Sequence, residues 1–325
     1  MFKNINNIFL IKSHISHKKL LKCILFITKQ SSLNEIDIKR KYNKSLEKFI
    51  KIPKNINIKN VDLIIKTKIN NDYKFINIEK SLIFNLQKKL NLNNKKISKY
   101  KLKNIPFFPQ TYISRNVVKQ NLAKGTNRVP KKISEFNSFL LSSVAIVINN
   151  LSSKNNEEIK VNKYLNNFKF LNQKNIKKKK IINSLLLILK NYKNEKIITA
   201  LTHGDFKCEH LFMLNNKLEY VIDWENISCR SIFFDLFNYF IPWFVHRSYN
   251  YFKIKIFILE FLKTYLPYLL NYISDKYDLY FSIFALERYL RMHNHKTLEF
   301  ETKHKAYKRY DKLFGKLIND IKYKY

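Results

Sequence analysis

Between Leu201 and Glu225 the chain carries its densest set of chemically active side chains. The first part reads Leu201-Thr202-His203-Gly204-Asp205-Phe206-Lys207-Cys208-Glu209-His210-Leu211-Phe212-Met213-Leu214. An Asn215-Asn216 pair follows, and a second apolar run leads into Tyr220-Val221-Ile222-Asp223-Trp224-Glu225. The polar residues sit between hydrophobic, strand-like runs, and the Asn-Asn turn between two of these runs suits a hairpin. That geometry would carry Asp205 and Asp223 into one cleft. Phosphoryl transfer needs such a set: one carboxylate to take or orient a hydroxyl proton, another to hold a divalent metal against phosphates. His203, Cys208 and His210 also suggest zinc, but their spacing matches no structural zinc pattern and supplies no fourth ligand.

Elements on both sides must hold this segment. On the N-terminal side, Glu47–Ile52 and the β-branched stretch Ile56–Ile69 read as strands. Leu82, Ile83, Leu86 and Leu90 share one face at helical spacing, which predicts a helix from Glu79 to Leu92. A Pro-rich loop at 105–109 leads to a strand near Gln110–Ser114, and Asn116–Ala123 reads as extended until Gly125 breaks it. Helices are expected over Ser134–Leu151 and Ile176–Tyr192, with a polar loop between them. Four more are expected over 231–247, 250–274, 277–293 and 303–322. Tyr and Phe interleaved with Lys from Tyr249 to Tyr280 would suit a platform for single-stranded nucleic acid. Their helical spacing argues instead for a core. The expected architecture is α+β and two-lobed: a β-rich lobe over 1–115, a hinge over 116–127, and a larger helical lobe over 128–325 holding the chemical segment.

His203-Gly204-Asp205, a metal-ligand position at the fifth residue after the Asp, Ile222-Asp223-Trp224-Glu225 and then Phe234-Asp235-Leu236-Phe237 together resemble the aminoglycoside phosphotransferase and choline kinase family. These are small-molecule kinases of protein-kinase-like fold. The resemblance covers roughly residues 47–290, with motif identity concentrated in 202–237. It implies transfer of the γ-phosphate of ATP or GTP to a hydroxyl of a small molecule such as a sugar, an amino alcohol or an antibiotic. It also implies roles one residue at a time. Asp205 would be the catalytic base and Asp223 a ligand of the metal, Mg²⁺ or alternatively Mn²⁺. His203 would brace the loop, Lys207 would touch the transferred phosphate, and Asp235 would tie the loop to the helical lobe. Lys66 would clasp the α- and β-phosphates, with Glu79 at the next helix start as its partner. Lys68 shares a strand face with Lys66 and remains an alternative.

Two departures from the family stand out. His210 occupies the metal-ligand position where the family has Asn, as in related kinases of macrolides. An imidazole nitrogen suits Mn²⁺ or Zn²⁺ better than Mg²⁺, so a changed metal preference is expected. No glycine precedes Gly125, so a nucleotide-covering loop near Pro53-Lys54-Asn55 lacks the usual backbone freedom. A catalytically silent binding module is the alternative these departures leave open.

Composition bounds the partners. The 325 residues are 46% hydrophobic and 15% aromatic, enough for a sizeable core. Three glycines exclude a nucleotide site of clustered glycines. Three cysteines exclude a disulfide framework and fit a reducing compartment. The net charge of +38 invites a polyanion, yet only 8 of the 62 basic residues are Arg, the residue favoured for base edges and bidentate phosphate contacts. Lys, Asn and Ile share A/T-rich codons and are over-used together, so the charge reads as background and a nucleic-acid partner is not favoured. No window offers the ~18 uninterrupted apolar residues of a membrane span. The first 34 residues hold six Lys and no acid, as a presequence would, but also no Arg. Ile8–Ile11 and Ile24–Ile27 there read better as strands, and a cytoplasmic location is the expectation.

Overall fold

The computed structural model of the chain describes residues 5–10, 38–40, 63–67, 73–77, 82–86, 94–114, 117–121, 125–127, 129–167, 180–247, 249–294, 310–315 and 318–319. The chain divides into two units, Met1–Pro130 with Cys208–Asn226, and Lys131–Lys207 with Ile227–Tyr325. The segment 208–226, expected with the helical part, is grouped with the first unit, in keeping with the strand pairing described below.

The first unit contains a seven-stranded sheet of β1 (Ile5–Leu10), β2 (Ile38–Arg40), β3 (Leu63–Thr67), β4 (Tyr73–Asn77), β5 (Leu82–Leu86), β6 (Thr111–Ser114) and β7 (Val117–Asn121). Their order is β2-β1-β3-β4-β5-β7-β6. β1 and β2 run parallel, and the other neighbours are antiparallel. The strands expected at 24–27 and 47–52 lie outside the described residues. β7, within the stretch read as a hinge, is extended and lies between β5 and β6 in the sheet.

The helix expected from Glu79 to Leu92 is corrected: Leu82–Leu86 is strand β5, paired with β4 on one side and β7 on the other. A five-residue run with four apolar residues fits either period, and partners on both sides decide for strand. The helix that does follow, α1 (Asn94–Lys99), has no acid in its first turn.

A second sheet of the same unit runs β12 (Lys217–Val221), β11 (Leu211–Leu214), β8 (Thr126–Asn127). β11 and β12 form the hairpin expected from the sequence, turned at Asn215 and Asn216 with φ of 50° and 61°. Consecutive left-handed residues make a type I′ turn, and Asn tolerates that conformation because its short polar side chain bonds locally. Gly125 at the entry to β8 has φ +84°, and a Cβ there would lie 2.1 Å from the Met213 carbonyl oxygen. Gly125→Ala is therefore expected to destabilise the chain by about 1–3 kcal/mol through strain and overlap. A urea midpoint equal to wild type would contradict this.

In the second unit β13 (Ser228–Ser231), β10 (Lys196–Thr202) and β9 (Glu157–Lys160) form an antiparallel sheet in that order. Its helices are α2 (Ser138–Ser152), α3 (Val161–Asn166), α4 (Lys180–Asn191), α5 (Phe234–His246), α6 (Tyr251–Tyr265), α7 (Pro267–Ile273) and α8 (Tyr277–Asn294). Asn137 caps α2 by accepting the Leu140 N–H at 3.0 Å. β9 and α3 occupy the stretch read as a polar loop. The single helix expected over 250–274 is two, with Pro267, which lacks an N–H, at the first turn of the second. Of the aromatic residues from 249 to 280, Tyr251, Phe261, Tyr277 and Tyr280 are buried in the core, while Phe252, Tyr268 and Tyr272 are exposed. Phe237 of α5 meets Phe281 and Phe284 of α8 at ring separations of 5.3 and 5.5 Å. Among the described residues no helix is long and apolar enough to cross a membrane.

Candidate active site

Strand β10 delivers the His203-Gly204-Asp205 turn. Its residues Ile197 and Thr199–Thr202 are buried, so the strand is held from end to end before the chain bends. The bend is fixed by Asp235, in the first turn of α5 and only 3% exposed. Its carboxylate accepts the N–H of His203 at 2.5 Å and the N–H of Gly204 at 2.9 Å. Gly204 has φ +79°, a conformation that favours glycine, and the fully buried His203 accepts the Asp205 N–H on its Nδ1 at 3.3 Å. Phe206 then drops into the core against Tyr239 at 4.9 Å, and its carbonyl accepts from Asn238 Nδ2 at 2.9 Å.

Backbone and core contacts thus fix the residues flanking Asp205, while its own carboxylate stays partly open. The Asp205 side chain is 22% exposed, and its Oδ2 lies 2.7 Å from Lys207 Nζ. Lys207 and Asp205, assigned to phosphate and proton from the sequence, therefore stand together in the second unit. A partly open carboxylate on a fixed backbone suits a group that must receive a proton.

The first unit holds the other pair. His210, at the head of β11, is buried, and its Nε2 lies 3.1 Å from Asp223 Oδ2 at the foot of β12. The hairpin register sets this, because Leu211 is paired with Val221 and the Ile222 N–H donates to the His210 carbonyl. Asp223 has φ 65°, a left-handed conformation that costs a non-glycine residue of order 1–3 kcal/mol and clusters at functional sites. Trp224 anchors it from below: its Nε1 donates to the Val221 carbonyl, and its ring stacks on Phe107 and meets Phe108 edge-on. The carboxylate and imidazole are two donors, the imidazole favouring ions softer than Mg²⁺, and among the described residues no group of three or more such side chains comes together.

Lys66 lies on β3, separated from β7 by β4 and β5 in the sheet order, while Glu79 and Lys68 lie outside the described residues. The sequence did not single out Asn238, Arg230, Glu287 or Arg288. Asn238 was within reach, since it stands three residues after Asp235 and so shares its helix face. The others meet partners dozens of residues away and leave no local signal.

The fold is the α+β, protein-kinase-like one that the motifs suggested. A choline kinase, LicA, solved with AMP, superposes with a TM-score of 0.52 at 15% identity, over 84% of this chain and 98% of that one. LicA from Streptococcus pneumoniae, in a second structure, gives 0.50 at 16% identity, over 77% and 89%. An amicoumacin kinase solved with AMP-PNP, Ca²⁺ and Ami gives 0.51 at 12% identity, over 84% and 93%. No protein-family model matches the sequence, and no curated protein sequence is significantly similar to it.

Proposed function

We propose that the protein is a small-molecule kinase that moves the γ-phosphoryl group of ATP or GTP to a hydroxyl. The observation that carries this reading is the Asp205 turn, with its backbone fixed by Asp235 and its carboxylate left partly open beside Lys207. In this reading Asp205 orients and accepts the proton of the attacking hydroxyl, and His203 keeps the turn in shape. Lys207 meets the transferred phosphate, exchanging its contact with Asp205 for one with the nucleotide. Asp223 and His210 hold the divalent ion, whose chemistry is to neutralise charge on the phosphates. Lys66 is a proposed phosphate contact. Glu79 is its proposed partner. The structural neighbours act on choline and amicoumacin, which supports an acceptor of the same broad class, a small molecule bearing a hydroxyl.

The test is thermal stability with ATP and either Mg²⁺ or Mn²⁺, for wild type and Asp223→Ala. A ligand at 100 times its dissociation constant adds about 2.7 kcal/mol, a shift of several degrees. The expected result is a metal-dependent shift that Asp223→Ala abolishes, larger with Mn²⁺. No shift with any nucleotide would sink the kinase reading. A shift without turnover of any acceptor or of water would favour the second reading, a silent binding module. One observation supports that alternative: no glycine precedes Gly125 to form a covering loop.

A further inference from the structure

The turn that carries Asp205 is gripped at both ends by consecutive residues of one helix. At the entry, Glu287 of α8 accepts from Arg230 Nε at 2.7 Å, and Arg230 Nη1 reaches the Thr202 hydroxyl at 2.8 Å. Thr202 is the residue before His203, and its hydroxyl in turn donates to the Ser228 carbonyl at 2.8 Å. The second oxygen of Glu287 accepts from Tyr164 at 3.0 Å, and that phenolic oxygen accepts the Ser231 N–H. Burial, with the Glu287 charge beside it, pushes the Tyr164 pKa well up, so the phenol remains a donor to Glu287. At the exit, Arg288 Nη1 donates to Asn238 Oδ1 at 3.1 Å, and Asn238 Nδ2 holds the Phe206 carbonyl, one residue past Asp205. Neighbouring residues on a helix project about 100° apart, so one turn of α8 can serve both ends.

Stability alone does not account for this arrangement. The Arg230 and Glu287 side chains are 12% and 5% exposed, and a well-packed apolar pair of like volume is often at least as stabilising as a buried ion pair. An apolar pair could not grip a hydroxyl at one end of the turn and, through Asn238, a carbonyl at the other.

We propose that Glu287 and Arg288 are positioning residues that together hold the 203–206 turn. The role of Asp205 as base is taken from the kinase reading above. The charged and titratable groups around the turn are Lys207 and His203 within it, Asp235 on α5, Arg288 on α8, and Tyr310, whose ring lies 5.7 Å from the Arg288 guanidinium. Burial acts to lower the Arg288 pKa, yet Tyr310 and Asp205 hold it above its ordinary value. The guanidinium therefore stays charged and remains a donor to Asn238.

The experiment uses the full chain with Mg²⁺-ATP, reading ADP formation with water as acceptor, for wild type, Arg288→Met, Arg288→Lys and Glu287→Gln. Alongside it, hydrogen exchange of the 203–206 backbone amides is followed in each variant. Arg288→Met should lower kcat on the order of 10²-fold through misplacement of the base, with KM for ATP little changed. Glu287→Gln should also lower kcat while leaving KM near wild type. Arg288→Lys should recover part of the loss, and the amides of the turn should exchange faster in Arg288→Met than in wild type. Wild-type kcat and unchanged exchange in Arg288→Met would overturn the proposal. So would an equal loss in Met and Lys variants with the exchange unchanged. A wild type that never forms ADP strikes the kinase reading instead, and exchange at the turn then decides the role of Glu287 and Arg288 alone.

Discussion

Asp205→Asn is expected to cut phosphoryl transfer by on the order of 10²–10⁴, the range for loss of a general base, while leaving the nucleotide-dependent thermal shift in place. The substitution keeps the shape of the side chain and removes its ability to take a proton. It should leave the turn intact, because the groups that hold it are the Asp235 carboxylate, His203 Nδ1 and Asn238, not the Asp205 carboxylate. The ion pair between Lys207 and Asp205 is partly exposed, at 31% and 22%, so breaking it should cost no more than about 1 kcal/mol. ADP formation is compared for the two proteins at matched nucleotide saturation, with melting curves recorded beside it. An Asn variant that turns over at the wild-type rate would remove Asp205 from the chemistry. A variant that loses both turnover and several degrees of stability would instead mark Asp205 as a structural residue.

Legibility in the sequence followed the range of the interaction that fixes each feature. The Asp205 and Asp223 segments were readable because their chemistry is packed into a few consecutive residues, and the Asn215-Asn216 turn because its conformation selects its residue type. The amphipathic helices of the second unit were readable for the same local reason. Leu82–Leu86 was not, since a short Leu-rich run satisfies either period until β4 and β7 pair with it. β9 was hidden in a polar stretch. Three of its four residues are exposed, and its pairing with β10 rather than its own composition makes it a strand. The grouping of 208–226 with the first unit was equally hidden. It depends on β8 pairing with β11 across more than eighty residues, and on Trp224 packing against Phe107 and Phe108. Arg230 and Glu287 lie 57 residues apart, Asn238 and Arg288 lie 50 apart, and nothing about an isolated Arg or Glu announces such a partner.

Asp235→Ala is expected to be among the most destabilising single substitutions in the second unit, at about 2–5 kcal/mol. The magnitude rests on the bonds removed: two N–H groups, those of His203 and Gly204, lose a charged acceptor in a buried place, and each such loss costs about 1–3 kcal/mol. A smaller contribution comes from the helix itself. A carboxylate in the first turn of α5 faces the positive end of the helix dipole, worth about 0.3–1 kcal/mol. Asp235→Asn should fall between the two, because its amide oxygen can keep one of the N–H contacts while its NH₂ confronts the other. Urea denaturation of the full chain measures both. An alanine variant within ~0.5 kcal/mol of wild type, the range of an ordinary surface change, would show that the turn is held by its core contacts alone. The ordering of the two variants matters beyond stability. If activity falls in step with the number of N–H groups still held, the path from Asp235 through His203 and Gly204 to the Asp205 carboxylate is the rigid part of the site. Precision at the reacting group then comes from a carboxylate that never touches the substrate.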